Sequence, residues 1–291
     1  MAALTGTLAP GRLIFYGPTG SAANRLGGGE AGNRKTLAIL RRHFAVEVIE
    51  KPVMTGHGAA AMTAYALAFG LCMLRLIVAL AGSDRRTRVH ISGFYMDMVY
   101  PELFVLLLAK AFRRYVIYEM RAGGAIEAYR DRSRAYRYGF RALLDYSNRL
   151  LCQGRDYVDH FGELTANPLV HYPNFVEADI FRHAGANRQS ATAPKLTYFG
   201  RLAPSKNIEF LLDIARYLKT EGFAFEFHII GDGSPEYLRR LKETIAQDGL
   251  REVRMVHRLS GDALFSRIGD ARDAFDGGHV GRPQLAQPPG L

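Results

Sequence analysis

Short runs of β-branched, aromatic and aliphatic residues alternate along this chain with longer stretches of helical spacing, and Gly, Pro or Asn marks most boundaries. The first part reads as strand Arg12–Tyr16, helix Asn33–Arg42, strand Val46–Ile49, helix Ala59–Ala81 and strand Val89–Ser92. Helix Tyr100–Phe112, strand Tyr115–Tyr118, helix Ile126–Ser147 and strands Leu150–Cys152 and Leu169–Tyr172 follow. A second series comprises strand Lys195–Phe199, helix Ile208–Lys219, strand Glu226–Ile230, helix Pro235–Gln247 and strand Val253–Val256. Strands alternating with helices predict α/β units with parallel sheets. The stretch between the two series, rich in Glu177, Asp179, His183, Asn187 and Gln189, is polar and irregular. The division expected is therefore an N-terminal Rossmann-like domain at 1–175, a linker at 176–194 and a second domain at 195–291.

Two helical stretches have unusual surfaces. Ala59–Ala81 is apolar throughout except for Arg75 and has the length of a membrane span. Its Ala and Gly content, the position of Arg75 and the flanking strands favour a core helix on one face of a sheet. A helix lying on a membrane surface is the other reading that suits the chain's charge. Ile126–Ser147 carries Arg130, Arg132, Arg134, Arg137 and Arg141, a run expected to form a solvated face or to meet an anionic membrane.

Composition narrows the partners. The 291 residues include 48% hydrophobic and 23% charged residues, enough for two packed cores, and the net charge is +10. Such a charge attracts anions: sugar nucleotides, nucleic acid or an acidic membrane. No block of Lys and Arg interleaved with aromatics marks a nucleic-acid module, so no nucleic-acid partner is expected. Cys72 and Cys152 stand far apart without metal-ligand spacing, and Met1–Gly11 lacks the form of a signal peptide. A cytoplasmic location is expected, with peripheral association at the inner face of a membrane as its variant.

Candidate chemistry concentrates at strand ends. Gly200 is expected to turn the chain after strand Lys195–Phe199, Pro204 to block an early helix, and Asn207 to cap the helix from Ile208. Arg201 and Lys206 thereby fall in a loop between a strand's carboxyl end and a helix N-terminus. Open α/β sheets bind ligands at that edge, and a guanidinium beside an ammonium suits a diphosphate. A second cluster, Glu119 and Arg121, ends strand Tyr115–Tyr118, where an internal ion pair and a contact to an acceptor or phosphate are equally open readings. A Gly-rich loop after the first strand contains Gly27, Gly28, Gly29 and Gly32. With Glu50 it offers a weak dinucleotide-binding spacing, hence an NAD-dependent oxidoreductase as one alternative.

Tyr198 to Asn207, with Gly200-Arg201-Leu202 followed by Lys206-Asn207, then Ile230-Gly231-Asp232-Gly233 and, upstream, Tyr172-Pro173-Asn174-Phe175-Val176, resembles the family-four type of retaining glycosyltransferase. That resemblance implies a GT-B architecture of two Rossmann-like domains with parallel sheets. It implies a nucleotide-sugar donor, a glycan or lipid-linked saccharide acceptor, and no metal or other cofactor. It also implies catalytic roles for Arg201 and Lys206, and phosphate contacts for Gly28, Gly29, Gly200, Gly231 and Gly233, with Glu119 and Arg121 on the acceptor side.

The resemblance fades near Ala271. Family members carry a Glu-x7-Glu segment further on, whereas Glu252 is the last glutamate here. The chain therefore reads as truncated, with an incomplete C-terminal donor domain of about three strands, poorly covered and marginally stable. A non-catalytic remnant or binding module is the remaining alternative. The metal-dependent GT-A type needs an Asp-x-Asp pair, and no two aspartates here are two apart.

Overall fold

The structure is a computed structural model, and it describes residues 11–20, 28–54, 58–94, 96–121, 123–175, 193–257, 259, 263–264 and 273–276. The chain divides into two compact units, Met1–Phe175 and Val176–Leu291. Residues 176–192, most of the expected linker, lie outside the described residues.

The first unit runs β1 (Gly11–Gly17), α1 (Gly28–Leu40), β2 (Phe44–Glu50), α2 (Ala59–Ala81), β3 (Arg88–Gly93), α3 (Val99–Ala111) and β4 (Tyr115–Met120). It continues with α4 (Ala125–Asp131), α5 (Arg134–Tyr146), β5 (Arg149–Cys152), α6 (Arg155–Gly162) and β6 (Leu169–His171). Its six strands pair in parallel in the order β2-β1-β3-β4-β5-β6. Alternation along β1 sends Ile14 and Tyr16 into a core shared with α2, α3, α5 and α6, and Leu13 and Phe15 against Leu37 of α1 on the other face. Sequential strands move outward from β1 to β2, then resume on its far side with β3. The switch point of the sheet therefore lies between β1 and β3.

Local chemistry departs from the periodicity in three places. The expected helix 126–147 is broken at Arg132, whose backbone is extended, because the Ser133 side chain caps a new helix by accepting from Tyr136 N. The amphipathic α5 then buries Tyr136, Phe140, Leu143 and Leu144. Second, α6 was not expected, although Tyr157 and Phe161, one turn apart, are its buried anchors. Third, α2 is a helix over the expected residues but not a core helix. Cys72, Met73, Leu76, Ala79 and Leu80 are buried, while the opposite side stays in solvent. By length and composition it is the one described helix apolar enough to cross a membrane.

Both cysteines are reduced and buried. Burial pushes the Cys72 thiol up to about 11 and the Cys152 thiol up to about 12. The thiolate is the reactive form, so folded chain is expected to resist iodoacetamide at about pH 8 and to take two labels once denatured. Mass spectrometry reads the outcome, and native labelling at either cysteine would contradict this packing.

The second unit comprises β7 (Lys195–Leu202), a 3-10 turn (Pro204–Lys206), α7 (Ile208–Thr220), β8 (Glu226–Gly233), α8 (Pro235–Gln247), β9 (Val253–His257) and β10 (Asp273–Asp276). The sheet order is β10-β7-β8-β9, all parallel. The fourth strand corrects the expectation that the fold dissolves near residue 272. Asp273 to Asp276 pair with Leu196 to Phe199 on the side of β7 opposite β8. The expectation of a poorly covered core is corrected as well. Ile208, Leu211, Leu212, Phe225, Phe227, Ile229 and Ile230 are buried, while Phe210, Tyr217 and Phe223 are exposed.

Candidate functional site

In the second unit the switch point falls between β10 and β7, since β8 and β9 succeed β7 in one direction and β10 returns on the other. Ligands of open parallel sheets bind beyond the carboxyl ends of the strands at such a point. The carboxyl end of β7 carries Arg201, and the turn that follows carries Lys206. Both β7 and β8 extend further than their apolar runs, so Gly200 and Arg201 belong to the strand instead of a loop. Arg201 faces Asp232 in the register, is exposed, and its side chain makes no hydrogen bond or ion pair with described residues. Lys206 is exposed too, in a turn that starts at Pro204 instead of being blocked by it. Asn207 occupies the cap position of α7 with left-handed backbone (φ 50°, ψ 51°), and its side chain caps nothing. The amino end of α7 therefore has no side-chain cap. Glu209 in its first turn accepts from Tyr237 Oη at 2.7 Å, and burial together with that carboxylate keeps the Tyr237 hydroxyl protonated.

The glycines expected to admit phosphate have an additional use. A Cβ on Gly231 would lie 2.0 Å from the Gly200 carbonyl oxygen, and one on Gly233 would lie 2.1 Å from that of Leu202. The I-G-D-G segment is thus not a turn but the end of β8. Its two glycines let β8 run against β7 to the carboxyl edge, which holds Arg201 in line. Gly200 itself has φ +153°, a backbone that side-chain-bearing residues rarely adopt.

In the first unit Gly28 and Gly29 lie in the first turn of α1 instead of the expected loop, and Gly27 is outside the described residues. A Cβ on Gly28 would meet nothing, whereas one on Gly29 would overlap the Phe94 ring at 2.6 Å, and one on Gly32 would strike Arg121 Nη1 at 2.3 Å. These glycines let the helix approach the carboxyl ends of β3 and β4. Arg121 is buried, donating from Nη2 to Thr36 Oγ1 at 2.6 Å. Its Nε lies 2.8 Å from Glu119 Oε1, an ion pair off the line of a hydrogen bond. His90 Nε2 donates to Glu119 Oε2 at 2.8 Å, because a carboxylate can only accept. Glu119 is fully buried, so of the two readings left open by sequence the structure favours the internal pair for both residues.

Glu50, the acid of the alternative resting on the same glycines, is engaged by its own chain. Its carboxylate accepts from Thr19 N at 2.6 Å, Gly20 N at 3.2 Å and Thr19 Oγ1, so it binds its own chain where a dinucleotide ribose would need it. Arg34 and Asn33 of α1 hold the same segment through the carbonyls of Thr19, Gly20 and Pro18.

Sequence reasoning missed the most buried charges of this edge. Lys51 Nζ donates to Glu102 Oε1 at 2.5 Å, and Glu102 also accepts from Phe94 N at 2.8 Å and Tyr118 Oη at 2.6 Å. Lys51 lies over the Phe94 ring, 5.3 Å from its centroid. Glu102 was visible only as the single acid of the helix Tyr100–Phe112. Its partner stands 51 residues away. No group of three or more metal-ligating side chains occurs among the described residues.

Two parallel α/β sheets of this topology give the chain a GT-B-like fold. Among solved structures, HepE of Anabaena in complex with UDP-glucose aligns with a TM-score of 0.62 at 13% identity, over 90% of this chain and 72% of that one. A glycosyltransferase of Rickettsia africae aligns with a TM-score of 0.58 at 13% identity, over 90% and 71%. An α,α-trehalose-phosphate synthase (UDP-forming) of Burkholderia xenovorans gives 0.60 at 11%, over 91% and 79%. No protein-family model and no curated protein sequence matches the chain.

Proposed function

We propose that this protein transfers a sugar from a nucleotide-sugar donor to a glycan or lipid-linked saccharide acceptor, with retention at the anomeric carbon. The observation that carries the reading is the guanidinium of Arg201, without a partner among the described residues, at the carboxyl end of β7 beside the β10/β7 switch point and the amino end of α7. In the reaction the bond from the anomeric carbon to the diphosphate breaks. A bond to an acceptor hydroxyl oxygen forms, and that hydroxyl loses its proton. Charge grows on the diphosphate as it leaves, and Arg201, Lys206 and the first amides of α7 would stabilise it without a metal. Gly200, Gly231 and Gly233 would serve by letting the diphosphate approach backbone.

The test is nucleoside diphosphate release from a panel of UDP-, GDP- and ADP-sugars, with saccharide acceptors and in chelator, followed by NMR of the product's anomeric configuration. Release from one donor, insensitive to chelator and giving a retained anomer, is the expected result. Absence of both turnover and nucleoside diphosphate binding would overturn the reading in favour of a non-catalytic module. An inverted product would overturn retention alone.

A further inference from the structure

Helix α2 places apolar residues on both of its sides. Cys72, Met73, Leu76, Ala79 and Leu80 face the core, and directly opposite them Leu67, Leu71, Leu74 and Val78 follow at helical spacing. Their exposures are 67%, 65%, 58% and 64%. On the core-facing side of the helix, Phe69 is partly buried and in ring contact with Phe104 of α3. A contiguous apolar surface on this scale marks an interaction site.

Charge around the patch is predominantly positive. Arg75 is the only charged residue within α2, and it flanks the exposed stripe. Arg85 and Arg86 follow the carboxyl end of the helix, and both are exposed. That end is tied to the amino edge of the sheet, since Arg114 Nη2 donates to the carbonyls of Leu80 and Ser83, and Arg12 Nη1 to that of Gly82. Between Lys51 and Pro101 the only acids are Asp84 and Asp97. Asp84 accepts from Thr87 and the Arg86 amide, and Asp97 is paired with Arg132. The arginine run on α4 and α5 is a weaker candidate, because Arg130, Arg132 and Arg141 are each paired with an aspartate.

We propose that the outer face of α2 docks this protein on an anionic lipid bilayer. The helix would lie in the plane of the interface, with Leu67, Leu71, Leu74 and Val78 among the acyl chains and Arg75, Arg85 and Arg86 on the headgroups. An apolar stripe and a basic cluster together are the two signals that stable peripheral binding requires. A second copy of the chain would bring the same cations and a net charge of +10 against them, whereas an anionic surface complements both. A spanning orientation would strip Leu76 and Leu80 from the core, where both are fully buried. This docking stands apart from the proposed activity, since it is measured without turnover.

The chain contains no Trp, so Leu74→Trp creates a single fluorescent probe on the stripe. The full-length variant is mixed with phosphatidylcholine vesicles with and without phosphatidylglycerol, some carrying brominated acyl chains. Expected are a blue shift and bromine quenching on phosphatidylglycerol-containing vesicles, weakening with added salt. The double variant Leu67→Asp, Leu71→Asp, at exposed positions that leave the core intact, should lose vesicle co-sedimentation by about tenfold or more. The variant Arg85→Glu, Arg86→Glu should lose the preference for anionic lipid. Absence of vesicle binding by the wild-type chain, an unquenched probe, or aspartate variants that bind as before would overturn the proposal. So would a wild-type dimer that the aspartate variant turns into a monomer, which would assign the face to a second copy. Wild-type chain surviving alkaline carbonate extraction would assign it to a span.

Discussion

Removing the charge of Arg201 or of Lys206 by Ala substitution is expected to weaken nucleoside diphosphate binding by ~1.5–3 kcal/mol, or on the order of 10- to 150-fold in Kd. The range is that of hydrogen bonds made to charged groups, and these two side chains end the strand and turn that lead to the amino end of α7. The Arg201 side chain makes no hydrogen bond or ion pair with described residues, so its truncation should leave the second unit's stability nearly unchanged. That separation is the point of the measurement. Calorimetry of binding and thermal melting are run on the same proteins. Lost affinity with an unchanged melting temperature supports the assignment, and unchanged affinity in both variants would remove it. Arg201→Lys discriminates further, because an ammonium restores charge but not the planar fork, and should recover only part of the loss.

Glu102→Gln is the second large effect, and it acts on stability. Glu102 is fully buried and Lys51 nearly so, so the variant leaves an ammonium in the interior without its counter-charge. Breaking such a pair from one side costs about 3–5 kcal/mol, against ~5–15 kcal/mol for a whole domain. The Phe94 amide and the Tyr118 hydroxyl also lose a charged acceptor. Urea denaturation should show a large fall in the midpoint for the first unit. The double variant Glu102→Gln, Lys51→Met should recover much of it, since neither charge then remains buried. A double variant as unstable as the single one would mean that the damage lies in the hydrogen bonds and not in the ion pair. The consequence reaches α1, because Phe94 is the ring against which Gly29 packs.

Much of this architecture was legible from local pattern. Strands such as Leu13–Tyr16 are continuous apolar runs because parallel strands are covered on both faces, and the helices between them have the expected period. The placement of Arg201 and Lys206 near a strand's carboxyl end and ahead of a helix followed from the same reading. Order along the chain, class of fold and the location of that basic pair are properties of segments, and a segment's periodicity is set by its own residues.

What the segments could not contain is which of them meet. Strand β10 is four residues long, too short for a periodic signal, and it forms because β7 has a free edge. Yet β10 creates the switch point beside which Arg201 stands. Gly29 and Gly32 look like a flexible loop or a nucleotide fingerprint until Phe94 and Arg121 are brought against them from β3 and β4. Glu119 and Arg121 were open to a ligand in the sequence and are taken up by His90 and Thr36 in the fold. The two sides of α2 are chemically alike, so composition could not say which would be covered. The sheet covers one of them, and the other is left to water because no described element packs over Leu67, Leu71 and Leu74. In each case the deciding interaction joins residues distant in sequence, and its free energy exists only once the sheet order has brought them together.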